Sequence, residues 1–161
     1  MLIDGEFTLR DDFVSKCACT LCGGVAYLGS PCGSTGTNGI KAGGVTGSSS
    51  PTGDAFDVDY VAHEMGHQFG GNHTFNGSTG SCNSTSHRPT HAYEVGSGVT
   101  IQAYAGICGV ENLQGNSIDR FHAESLDEMT AFLTNPTTGG SCGTSQATNN
   151  TLPVINGGNP L

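Results

Sequence analysis

Between residues 56 and 69 the apolar positions fall at helical spacing: Phe56, Tyr60 and Val61, then Met65 and Phe69. That rhythm predicts a helix with one face turned inward. Asp54 or Asp57 is expected to cap its start, where a carboxylate also suits the helix dipole. Gly70-Gly71 is expected to end it. A second helix is predicted over 125–133 (SLDEMTAFL), with Ser125 and Glu128 forming a capping box. A short strand is predicted over 25–28, closing in a turn, and VTIQAYAGI (99–107) reads as a strand or extended segment. Residues 33–53 and 74–98 read as loops, and the chain from Thr144 onward has the composition of a linker. No internal repeat is present, and the pattern assigns no element to residues 1–22.

Composition narrows the class. One domain with a sizeable core fits 161 residues. Glycine accounts for 26 of them and charged residues for only 12%, so short elements joined by irregular backbone are expected. The formal net charge of −9 argues against nucleic acid as a partner, which wants a basic face. No apolar run is long enough for a membrane span. Cys32, Cys82, Cys108 and Cys142 are widely spaced beside glycines, which points to disulfides and an oxidising, extracellular compartment. Cys17, Cys19 and Cys22 give only a weak metal signal, and disulfides or an unrelated N-terminal segment explain them better. MLIDGEFTLRDD lacks an apolar stretch of signal-peptide type, so an export signal is expected outside this chain.

The chemistry concentrates in HEMGHQFGGNH, residues 63–73. On a helix, residues four apart differ by roughly 40° in direction, so His63 and His67 share a face and can bind one metal ion. Glu64 projects beside that ion. His73 could not reach it from a continued helix. Gly70 can adopt positive φ and turn the chain back, bringing His73 in as a third ligand and leaving a fourth position for water. Glu64 is then the candidate general base for zinc-assisted hydrolysis. HExxH alone is cheap, but HExxHxxGxxH fixes five residues over eleven, on a segment whose pattern is helical.

With that motif the sequence resembles the metzincin zinc proteases. It is most similar to the reprolysin (adamalysin-like) branch, and within it to the reprolysin-like metallopeptidases of bacteria. GVAYLGSPC (24–32) is similar to their substrate-edge strand and following cysteine. FDVDYVAHEMGHQFGGNHTF (56–75) is similar to the active-site helix, TIQAYAGICG (100–109) to the Met-turn, and FHAESLDEMTAFL (121–133) to the closing helix. The resemblance covers about residues 23–143. It implies an α/β (α+β) zincin-like metzincin fold with a reduced mixed sheet, an active-site helix and a C-terminal helix. It implies zinc on His63, His67 and His73, Glu64 as acid/base, and a peptide or protein substrate lying antiparallel to the strand at 25–28. It also implies a disulfide between Cys32 and Cys142. Cys82 and Cys108 are expected to pair with each other, which the resemblance does not supply.

Two departures stand out. Where the family's Met-turn places methionine under the zinc, this chain has Gln102, whose amide needs partners if buried. Weakened zinc binding is the expectation. Residues 1–22 do not resemble the helix and strands that normally precede the edge strand, so the active-site helix is expected to be less well supported. Tyr104, two residues after Gln102, is a candidate contact to the zinc or the transition state, with a packed tyrosine as the alternative. His122 is read as packed beside the closing helix, and His87 and His91 as solvated. Asp54, Asp57 and Asp59 suit helix capping better than calcium.

The expected organisation is an unassigned segment (1–22), an N-terminally shortened catalytic domain (23–143) and a linker-like tail (144–161) leading to further domains. The expected activity is that of a secreted, monomeric zinc endopeptidase. The rival readings are an inactive zinc-binding remnant and a zinc-stabilised interaction module.

Overall fold

The computed structural model describes residues 23–35, 39–41, 43–83, 85–144 and 146. The expectations for residues 1–22, including Cys17, Cys19 and Cys22, and for nearly all of the tail fall outside them.

A helical rod carries the motif, built as an α-turn Asp54–Phe56 (α1), a π-helical stretch Asp57–Ala62 and the α-helix His63–Gln68 (α2). The expected helix is therefore present, but its first half is wider than an α-helix, which changes the phase at which α2 presents its histidines. The expected aspartate cap is absent. Gly53 occupies the N-cap with no side-chain bond, and Asp59 instead accepts the Ser117 amide at 2.7 Å, tying the rod to a distant loop. At the other end the two glycines close α2 with a Schellman motif. Gly71 N donates to Gly66 O and Gly70 N to His67 O, both at 2.9 Å, and Gly70 takes φ +99°.

Strands β1 (Gly24–Ala26) and β2 (Gly44–Thr46) form an antiparallel pair against α2. β2 corrects the expected loop over 33–53. A Gly-Val-Thr tripeptide in a Gly/Ser/Thr run carries almost no strand signal, and pairing with β1 supplies the order its composition lacks. Just past β1, Gly29 N and Ser30 N donate to the carbonyls of His67 and Gln68. Both carbonyls lie in the last turn of α2, where α-helical donors run out, and His67 O takes the Gly29 amide as a second bond beside that of Gly70.

The segment over 99–107 forms turns rather than a strand. Ala103 N bonds Thr100 O and Ile107 N bonds Tyr104 O. Ile101, Gln102 and Ala103 are all buried, so the period-two burial of a strand face is missing. The half-buried Glu94 carboxylate organises the start of this segment. It accepts from the amides of Val99 and Thr100 and from the hydroxyls of Thr74 and Thr100. Burial raises its pKa, but these bonds together outweigh burial, and the net displacement is downward.

The C-terminal helix α3 (Ala123–Thr134) starts two residues earlier than expected. The capping box does not form, because His122 is the N-cap and its Nδ1 accepts from Glu124 N. Ser125 is buried, and Glu128 reaches away to the turn after α2. Cys32 is bonded to Cys142 and Cys82 to Cys108. The second disulfide joins fully buried Phe75 in a small core on which Tyr104 packs. The mixed α/β architecture with a reduced sheet is as expected. Among the described residues no helix is long and apolar enough to cross a membrane.

Candidate metal centre

α2 and its Schellman turn bring the three imidazoles of the motif together. The Nε2 atoms of His63, His67 and His73 lie 3.0–3.2 Å from one another. Each ring is held from behind by a backbone carbonyl at Nδ1: Ile101 O at 2.6 Å for His63, Gly71 O at 2.7 Å for His67 and Ser86 O at 3.0 Å for His73. A carbonyl only accepts, so each Nδ1 carries the proton and each Nε2 presents a lone pair. Burial pushes all three pKa values down, that of His73 to about 3, so the rings are neutral at ordinary pH.

Three acceptors facing one another have no proton to share. A cation resolves this. With metal–nitrogen bonds of about 2.0–2.1 Å, two ligands of a tetrahedral ion stand roughly 3.3 Å apart, close to the spacing seen here. The donor set therefore fits a metal ion, and the three side chains form a group able to hold one. Among the described residues no acidic cluster of that kind is present.

Glu64 is buried beside the triad. Its carboxylate lies against β1 at Gly24, and its Oε2 has no hydrogen-bond partner. Burial pushes its pKa up to about 7. Triad and carboxylate open on one side into a cleft of about 230 Å³, walled by β1 and Tyr104. The Tyr104 ring centre is 4.5 Å from that of His73 and 4.6 Å from that of Phe75. The tyrosine thus packs on the core and also borders the cleft.

Gln102 is fully buried under α2. Its Nε2 lies 3.1 Å from His67 Nδ1 and donates at 3.4 Å to Gly71 O, the carbonyl that also takes the Nδ1 proton of His67, while its Oε1 has no partner. It sits against Gly66, where a side chain would collide with the amide. Replacing Gln102 by methionine removes the unpaired oxygen and keeps the length. The metal-free protein should become more stable by about 1 kcal/mol, with no loss of zinc affinity. Thermal unfolding of the metal-free protein and a zinc titration check this; a lower melting temperature would show that the Gly71 bond matters more than the unpaired oxygen.

Four residues bordering or bracing the site carry no spacing signal in the sequence. Asn72 donates through N and Nδ2 to Glu128 on α3, which locks the turn between His67 and His73. Ser86 contributes a backbone carbonyl, which no side-chain pattern reveals. Arg88 borders the cleft. His91, expected to be solvated, lies 3.0 Å from Glu128. The expectation for His87 is likewise corrected, since its Nε2 is buried beside Phe75.

A half-buried helix presenting two histidines, a Schellman turn returning a third and a free carboxyl alongside define a hydrolase-type metal site. The chain belongs to the reprolysin-like metallopeptidases of family M12B, whose family model matches residues 9–131. That match begins ahead of residue 23, where the motif resemblance starts, and ends within α3. Neither the curated proteins nor the solved structures give a match. Family and triad together support a zinc metallopeptidase acting on peptides or proteins, and the two disulfides fit an oxidising compartment.

Proposed function

We propose that the protein is a secreted zinc endopeptidase, monomeric in action, with His63, His67 and His73 as the metal ligands and Glu64 as general base. The observation that carries the proposal is the convergence of three proton-free Nε2 atoms on a cleft that also holds an unpaired carboxyl. Bound zinc supplies Lewis acidity, which activates water near neutral pH and polarises the scissile carbonyl.

The chain's own groups do the rest. Glu64 takes up a proton at Oε2 and returns it to the leaving amine. In the metal-free protein its elevated pKa reflects burial without a partner, and a cation held by the adjacent imidazoles would lower it. The β1 edge receives the peptide. Gly23 O and Tyr27 N bond to the β2 side, so the alternate residues Gly24 and Ala26 aim their N–H and C=O groups at the opposite edge. An extended substrate adds there as an antiparallel strand.

Gln102 favours a second reading, a catalytically weak zinc-binding remnant, because its unpaired amide oxygen replaces a thioether beneath the ligands. The interaction-module reading draws less support, since the Nε2 face opens into the cleft rather than meeting a fourth protein ligand among the described residues. The test measures zinc content beside cleavage of an unfolded protein. The chelator-stripped protein should bind one equivalent of zinc and regain cleavage. Full zinc loading without cleavage would favour the remnant, and failure to bind zinc would remove both readings.

A further inference from the structure

We propose that Arg88 is a specificity-determining residue that selects substrates carrying a carboxylate next to the scissile bond, an inference that rests on the peptidase reading above. Arg88 borders the same cleft as the triad, Glu64 and Asn72. Among the described residues it is the only arginine or lysine to do so. Among the described residues no carboxylate forms an ion pair with it, the ion pair present being His91–Glu128.

Its backbone is tethered. Two residues back, Ser86 O accepts from His73, and Arg88 O itself accepts from His91 N at 2.8 Å as Pro89 opens a 3-10 turn. The base of the side chain is therefore fixed relative to the third imidazole.

A guanidinium offers a planar fork of donors that matches a carboxylate in bidentate fashion. The rest of the chain cannot supply this attraction, because its net charge is −9 with only five Lys and Arg in all. That wider acidic field is screened beyond about 8 Å at physiological salt, so a cation at the cleft decides local preference. The carboxylate can come from an Asp or Glu side chain, or from the C-terminus of a short peptide.

The test uses the zinc-loaded full chain with fluorescent peptides in matched sets: Glu and Lys each against Gln beside the scissile bond, and a free against an amidated C-terminus. Binding is read in a Glu64→Ala background and cleavage with Glu64 present. The acidic member should bind roughly three- to tenfold more tightly at low salt, the range for an exposed to partly desolvated charge pair, and less so as salt rises. Arg88→Ala should bring that ratio to about one, and Arg88→Glu should invert it toward lysine peptides. The pair showing the larger Arg88-dependent ratio identifies the source of the carboxylate.

No acidic preference in either pair, or one that survives Arg88→Ala, overturns the proposal. Arg88-dependent binding without any cleavage upholds the subsite and overturns the peptidase reading. Cleavage without acidic preference does the reverse.

Discussion

Replacing Glu64 by alanine should leave zinc binding intact and lower peptide cleavage by a factor of about 10²–10⁴, the usual worth of a positioned general acid/base. The separation of the two effects follows from geometry. The three Nε2 atoms are oriented by the carbonyls of Ile101, Gly71 and Ser86, and none of those bonds passes through Glu64. Its Oε2 bonds to nothing, so removing the carboxyl breaks no hydrogen bond there. Burying an unpaired acid is unfavourable. The metal-free Glu64→Ala protein should therefore be at least as stable as the wild type, and Glu64→Gln should show that the loss of cleavage does not come from a cavity. Zinc content, thermal unfolding and cleavage of an unfolded protein, measured on the same samples, decide it. Wild-type cleavage in either variant would remove Glu64 from the mechanism, and loss of zinc would recast it as a structural support.

The parts of this site that were legible in the sequence are those with a spacing rule. Two histidines one turn apart, and a glycine where a Schellman motif needs positive φ, can be recognised from residue order alone. The resemblance to reprolysins gave Cys32 with Cys142, a pairing no spacing could choose. What stayed hidden is made of backbone or of long-range packing. The carbonyls of Ile101, Gly71 and Ser86 fix every imidazole, yet any residue type at those positions would offer the same oxygen. Glu94 looked like one more acid in a loop until the fold brought Thr74, Val99 and Thr100 to it. Residues 99–107 misled because their β-branched and apolar composition suits a strand, whereas Ile101, Gln102 and Ala103 are buried consecutively by turns that wrap under α2. Glu128 is the converse case. Its spacing from Ser125 matched a capping box, but Asn72 and His91 compete for the carboxylate and win.

Replacing His73 by alanine should weaken zinc binding by more than a hundredfold, exceeding the 10–100-fold that loss of a mere ligand-orienting partner costs. His63 and His67 stand on one helix and remain aligned without His73. They supply only two of the three protein nitrogens that a catalytic zinc site of this type uses. His73 reaches them only because Gly70 adopts φ +99° and Asn72 is clamped by Glu128. Gly70→Val should therefore imitate His73→Ala in part, by straining the turn while leaving all three imidazoles in the chain. A β-branched residue resists positive φ, and a side chain here would also press on Phe132. Glu128→Gln tests the clamp from α3 and should give the smallest loss. A zinc titration over the three variants should rank the losses as His73→Ala, then Gly70→Val, then Glu128→Gln. Unchanged zinc affinity in His73→Ala would mean that the metal is held without the third histidine, and the return of the chain after α2 would then have no part in the metal site.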